Sequence, residues 1–290
     1  MSGRRNDPAW HEARRQGIGG SDAPAILGVS PWRTPYDVWA EKIGADTGAV
    51  RETDAMRWGL TLEPVVRAEY ARVTGRAVQV VDEILHHPQH EWLIANIDGR
   101  VDDGRVLEIK TARSTDGWGE PGTDQIPLYY LPQAHHYLIV TGAPVCDVAV
   151  LIGGSDFRVY SVEADADLHT KIIEVETTFW DLVQRREPPP AITVHDAVER
   201  WGHAARQGIV TADAEALAAI EQIRQADAAL HAATEQRDAA RAVVLCTLAD
   251  QGDTLVDSAG RILCTWKMQA GAEYVVKREA ARVLRLSRRK

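Results

Sequence analysis

Cysteine is scarce in this chain, a long apolar run is missing, and there is no surplus of positive charge. The three cysteines among 290 residues, Cys146, Cys246 and Cys264, are widely separated and lack Cys-x-x-Cys spacing. Neither a disulfide framework nor a zinc site is suggested, and buried reduced thiols are expected. No apolar stretch approaches the roughly 20 residues of a membrane span, and Met1 to Trp10 is polar, without the apolar segment of a secretion signal. A cytoplasmic protein without membrane contact is the expectation. Net charge is −9, from 33 Lys and Arg against 42 Asp and Glu. Nonspecific coating of nucleic acid needs broad neutralisation of phosphates, so any contact with DNA must be local. Some of the acidity suits a divalent-cation site, where the ion offsets clustered carboxylates.

What the chain does have is enough apolar content, 45% hydrophobic, to bury one large core, or one domain plus an extension. Its most informative stretch runs from Asn96 to Lys110 and reads NIDGRVDDGRVLEIK. Asp103-Gly104 predicts a two-residue hairpin turn, because both residues tolerate the positive φ of a primed turn. In the strand that follows, alternation puts Val106, Glu108 and Lys110 on one face and Leu107 and Ile109 on the other. Leu107 and Ile109 then enter a core while the charged pair faces a cleft, with Asp98 returning on the adjacent strand. Two carboxylates and an ammonium placed this way suit metal-dependent phosphodiester hydrolysis. The same residues also fit a surface hairpin with a cross-strand ion pair.

Along the rest of the chain, residues 17–22 (GIGGSD) read as a flexible loop feeding a short helix capped by Ser21 or Asp22. Its amides suit an anion, or simply a capped turn. Thr34 as N-cap, Pro35 in the first turn and Gly44 as the stop frame a scaffold helix. Leu62, Val65, Val66, Tyr70 and Val73 give a helical face over 60–73, with Pro64 tolerated in the first turn and Gly75 as the stop. A strand is predicted over 78–85, another over 92–97, a helix over 127–140, an antiparallel pair over 145–152 and 157–162 about Gly153-Gly154, and a helix over 168–186. The triple proline at 188–190 marks the domain boundary, giving residues 1–190 and 191–290. Beyond it, a long Ala-rich helix starting near Thr211 carries a thin apolar stripe suited to a partner helix or to the main domain, and residues 254–256 and 261–266 form a hairpin. The last 14 residues hold seven basic side chains (Lys277, Arg278, Arg282, Arg285, Arg288, Arg289, Lys290) against Glu279. That tail reads as a solvated end or a phosphate contact.

Six stretches together resemble one family: residues 10–14 (WHEAR), 18–22 (IGGSD), 59–64 (GLTLEP), Asp98-Gly99, 107–111 (LEIKT) and 132–137 (PQAHHY). In this order they look like the YqaJ-type viral recombinase family, related to the phage lambda exonuclease, and they span roughly residues 8–186. The resemblance implies an α/β (α+β) restriction-endonuclease-like core, a mixed central sheet flanked by helices that presents a PD-(D/E)xK motif, here followed by a helical extension and a small hairpin. It implies that Asp98, Glu108 and the carbonyl of Ile109 ligate Mg²⁺ or Mn²⁺, with Glu63 as a third acid. Such hard ions prefer oxygen ligands. Lys110 would orient the attacking water and stabilise charge developing on the phosphate. Gln133 would help place Lys110 or that water. Arg14 and Ser21 match the positions that hold the 5′-terminal phosphate, and Arg15 is an alternative to Arg14. Ile97 stands where the family has a proline before the first aspartate, a position that contributes no ligand.

The implied activity is 5′→3′ digestion of linear double-stranded DNA in a phage or prophage setting within a bacterial host, leaving 3′ overhangs for recombination. A homotrimer encircling the DNA and a single-strand annealing protein as partner follow by the same likeness. An internally cutting endonuclease with the same site, and an inactive DNA-end-binding or assembly protein with this core, are the rival readings. His86, His87 and His90, or His135 and His136, lack the spacing of a transition-metal site. Ser21 lacks the strand and Gly-x-Ser-x-Gly elbow of a nucleophile. Trp32 and Trp118, in loops near the cleft, are candidates to stack on an unpaired base.

Overall fold

A computed structural model describes residues 8–45, 53–202, 208–271 and Leu284. The chain divides into two compact units, Met1–Arg200 and Trp201–Lys290. The first begins with α1 (Pro8–Arg15), β1 (Ile18–Gly19), α2 (Ala23–Ile26), α3 (Pro35–Lys42) and α4 (Asp54–Thr74). Next come the short strands β2 (Val78–Gln79), β3 (Leu85–His86), β4 (Leu93–Ala95) and β5 (Gly99–Val101), then β6 (Val106–Ala112). A 3₁₀ turn at Leu128–Tyr130 leads into α5 (Leu131–Thr141), followed by β7 (Val145–Ile152), β8 (Asp156–Glu163), α6 (Ala166–Arg185) and α7 (Val194–Trp201).

Five strands form the main sheet in the order β2-β5-β6-β7-β8, with β6 at its centre. Only the β6–β7 pair is parallel. A parallel pair needs a crossover, which α5 supplies. The alternation read from the sequence is realised, but both faces of β6 are covered. Leu107 and Ile109 pack with Val66 and Tyr70 of α4 on one side. Val106 joins the larger core with residues of α5 and α6 on the other. Each fully buried aliphatic side chain there contributes about 1.5–3 kcal/mol. The surface-hairpin alternative is thereby excluded, since Glu108 is 5% exposed.

Several local expectations are corrected. The turn after β5 is a three-residue loop: Gly104 N donates to Val101 O and Val101 N to Arg105 O. Gly104 takes φ +89° while Asp103 keeps a negative φ, so one left-handed residue and a bulge replace the primed turn. Asp98 lies in a bend between β4 and β5. The 78–85 strand is instead two short pieces, β2 and β3, in different sheets. Helix α4 starts six residues earlier than the apolar face suggested, because Thr53 caps it by accepting from Met56 N. Pro64 is therefore interior, where it removes one helical hydrogen bond.

Nor is the 17–22 segment a flexible loop. Residues 17–20 are buried, and β1 pairs in parallel with β4 in a small sheet of order β1-β4-β3. Neither Ser21 nor Asp22 caps α2: Asp22 is its N-cap residue by position but makes no side-chain cap bond. The triple proline lies within the first unit, and α7 beyond it is held by His195 Nε2 on Asp37 Oδ1 at 3.0 Å. Of the cysteines, Cys146 is buried, Cys264 half-buried and Cys246 exposed.

The second unit contains α8 (Ala214–Leu248) and an antiparallel hairpin of β9 (Thr254–Val256) and β10 (Ile262–Thr265). Asp213 caps α8 by accepting from Ala216 N. Leu217, Ile223 and Leu230 of its stripe are exposed, whereas Leu248 is buried. The basic residues from Lys277 to Lys290 lie outside the described residues.

Candidate active site

The centre of the site is built where β6 passes beneath α5. Lys110 Nζ donates to Glu108 Oε1 at 2.5 Å and to Gln133 Oε1 at 2.9 Å. Gln133 Nε2 donates to the same Glu108 oxygen at 2.8 Å. Three side chains separated by up to 25 residues thus close one hydrogen-bonded ring, with the glutamine amide oriented by an ammonium on its oxygen and a carboxylate on its nitrogen. Burial opposes the Lys110 charge, but the Glu108 carboxylate outweighs it and raises the lysine above its ordinary value. Tyr130 adds its ring face 4.7 Å from Nζ.

Glu108 Oε2, by contrast, is buried without a hydrogen-bond partner. A buried carboxylate oxygen is costly to leave unsatisfied, so an orphan here calls for an explanation beyond packing. Asp98 is fixed beside it, its Oδ2 accepting from the Ile109 backbone N–H at 2.8 Å. Glu63 is tied to the group less directly. Arg67 Nη2 pairs with Glu63 Oε1, and Arg67 Nε donates to the Asp98 carbonyl at 3.1 Å. Among the described residues no three His, Cys, Asp or Glu side chains form a group able to hold a metal ion. The oxygen set nonetheless suits a hard divalent cation: an unsatisfied carboxylate oxygen on Glu108, the neighbouring Asp98 carboxylate and the Ile109 carbonyl.

A second cluster surrounds the 17–22 segment. Arg14 Nη2 donates to Ser21 Oγ at 2.7 Å, whereas Arg15 turns to Glu12 at 3.0 Å, so Arg14 is the arginine that meets this loop. Arg14 Nε is buried and unpartnered, a donor without an acceptor. Asp22 is fully buried, with Lys42 Nζ at 2.7 Å and Arg33 Nη1 at 3.2 Å. Burial works against its carboxylate, but Lys42, Arg14 and Arg33 together hold it well below the usual range.

Tyr137 joins the two clusters, and sequence reasoning missed its part. Its hydroxyl accepts from Gln133 Nε2 at 2.9 Å. Its ring lies against Gly20, where an added Cβ would fall 2.4 Å from Cε1. Glycine is required at that position for close approach rather than for its φ. Burial first, then the charges of Glu108 and Asp98, push the phenol well above its ordinary value and keep it neutral. The available signal was the i, i+4 spacing of Gln133 and Tyr137, which places both on one helix face.

The remaining candidates have structural roles. His136 is fully buried, its Nδ1 2.9 Å from Glu176 Oε1 and its Nε2 3.0 Å from Ile94 O. Two acceptors require two donors, so imidazolium is the fitting form. Burial opposes it, yet Glu176 raises the pKa. His135 Nδ1 faces His169 Nε2 at 3.2 Å, and the rings of His87 and His90 stack. Trp118 is 7% exposed and packs on Tyr130 and Tyr160, which removes it as a platform for a base.

Residues 9–144 match the model of the YqaJ-like viral recombinase domain. The protein YqaJ of Bacillus subtilis (strain 168) is 34% identical over 197 residues, 66% of this chain and 61% of that protein, so this chain spans less than two-thirds of its relative. The crystal structure of an alkaline exonuclease (LHK-Exo) from Laribacter hongkongensis superposes with a TM-score of 0.53 at 25% identity, covering 62% of this chain and 94% of that one. The same exonuclease in complex with dAMP matches with a TM-score of 0.51 at 24% identity and adds evidence of fold alone. The architecture is a restriction-endonuclease-like core shared with this alkaline exonuclease. Over residues 9–144 this chain is similar to the YqaJ-like viral recombinase family.

Proposed function

We propose that this protein is a metal-dependent 5′→3′ exonuclease of linear double-stranded DNA, leaving 3′ single-stranded overhangs for phage-type recombination. The observation that carries the reading is the ring of Glu108, Lys110 and Gln133 on the central strand, with an unsatisfied Glu108 oxygen beside Asp98. Bound at Asp98, Glu108 and the Ile109 carbonyl, Mg²⁺ or Mn²⁺ would supply Lewis-acid polarisation of the scissile phosphate. Lys110, kept charged by Glu108, orients the attacking water and offsets charge growing on the phosphate oxygens. Gln133 holds the ammonium in place, and Tyr137 holds Gln133. Glu63 is the third acid of the site, kept beside Asp98 by Arg67.

Arg14 and Ser21 receive the 5′-terminal phosphate. The unpartnered Arg14 Nε–H supports this, because a phosphate oxygen would satisfy it and a guanidinium fork suits a dianion. Assembly as a homotrimer around the duplex would sustain digestion despite a net charge of −9. A single-strand annealing protein is the partner that would take up the overhang. The test incubates purified protein with Mg²⁺ and end-labelled linear or closed circular duplex. Release of nucleotides from 5′ ends of linear DNA alone is expected. Cutting of closed circles would replace this reading with an endonuclease, and inertness on both would leave a DNA-end-binding protein.

A further inference from the structure

We infer that Trp32, braced by Tyr129, is a stacking platform for the unpaired terminal nucleobase of the strand being hydrolysed; the inference rests on the nuclease reading above. Trp32 is 66% exposed, an unusual position for the largest apolar side chain in a well-braced loop. The backbone N–H groups of Trp32 and Arg33 both donate to Ser30 Oγ at 3.2 Å. Arg33 is anchored to buried Asp22 and to Glu41, and Thr34 closes a reciprocal capping box with Asp37 at the start of α3. The ring is thus presented to solvent by a backbone with little freedom, which limits the entropy lost when a ligand stacks on it.

Its position identifies the occupant. The edge of one ring meets the face of the other between Trp32 and Tyr129, at 4.8 Å and 77°, and the centroid of Tyr130 is 6.5 Å from that of Trp32. Tyr130 in turn lies 4.7 Å from Lys110 Nζ. These two separations laid end to end set an upper limit on the distance from the ammonium to the Trp32 ring. A strand with a phosphate at Lys110 thus has a base within reach of Trp32. Inside a duplex both faces of each base are covered by neighbours, so the ring can stack only on a terminal or melted base. Every base has a π-face, which suits an enzyme that must digest any sequence. With a net charge of −9 working against a broad grip on the backbone, stacking also supplies affinity that phosphate contacts do not. Trp118 shows the contrast: it belongs to the same run of rings but is buried among them.

The experiment uses the full chain with Ca²⁺ in place of Mg²⁺, to measure binding rather than turnover, and a linear duplex carrying 2-aminopurine as its 5′-terminal base. Wild-type protein should quench that fluorophore and leave unchanged one placed far from the end. Trp32→Ala should abolish the quench and weaken binding roughly 5- to 150-fold. Trp32→Phe should retain most of both, and Tyr129→Leu, which leaves the loop intact, should reduce the quench. Equal quenching and affinity in wild type and Trp32→Ala, with digestion of linear DNA intact, would overturn the platform alone. Wild-type protein that neither binds nor digests linear duplex would overturn the nuclease reading and the platform with it.

Discussion

Replacing Glu108 by glutamine separates the two properties that the site combines. The amide keeps the shape of the side chain, and its oxygen can still accept from Lys110 and Gln133. Its NH₂ group then occupies the place of the unsatisfied Oε2, presenting donors where a cation needs an oxygen. Without metal, the change removes the counter-charge of a lysine whose side chain is 16% exposed. Breaking a buried pair costs about 3–5 kcal/mol. Here the retained Gln133 contact and the loss of an orphan oxygen reduce that to roughly 1–3 kcal/mol. With metal the variants diverge further. Wild-type protein at about 100 times the dissociation constant gains roughly 2.7 kcal/mol. For a unit of this size that raises Tm by about 5–11 °C. Thermal melts over a Mg²⁺ or Mn²⁺ titration should show this rise in the wild type and none in Glu108→Gln, and digestion should fall at least ~10³-fold. An equal metal-induced shift in both proteins would refute the assignment of Glu108 as a ligand.

Four further outcomes follow from other parts of the first unit. Arg14→Ala should lose the preference for 5′-phosphorylated ends; competition between phosphorylated and unphosphorylated duplexes measures it, and an equal loss on both would contradict a phosphate role. Gly20→Ala should destabilise by about 1–3 kcal/mol, because a Cβ has no room against Tyr137; unchanged urea melts would show that the loop simply moves aside. Asp147, buried on β7 among Tyr70, Arg76, Arg105 and Ser161, ties α4 to β8 and to the loop before β6, and Asp147→Ala should cost about 3–5 kcal/mol in chemical denaturation. The raised pKa of His136 means that its pair with Glu176 contributes fully below the unfolded value near 6.5 and is lost as pH rises through the folded value. Tm should accordingly decline on the alkaline side, and His136→Asn should flatten that limb; an unaltered slope in the variant would assign the decline to other groups.

Local pattern alone determined much of this molecule. Two-residue alternation put Glu108 and Lys110 on one face of a strand, Gly153-Gly154 marked the β7–β8 hairpin, and Thr34 with Pro35 marked the start of α3, since these depend on neighbours within a few residues. The six short motifs carried the family resemblance over residues 9–144, and with it the fold. Only tertiary structure decided what covers the charged face of β6. Gln133 reaches Glu108 from 25 residues away, and the bend at Asp98 is fixed by a backbone N–H eleven residues on. It also decided that Gly20 must yield to Tyr137, that Trp118 is buried while Trp32 is not, and that Pro64 lies within a helix whose cap at Thr53 overrides it. The reason is physical: chain-local periodicity specifies where a side chain points, whereas the burial of a charge and the partner that satisfies it depend on which distant segment packs there.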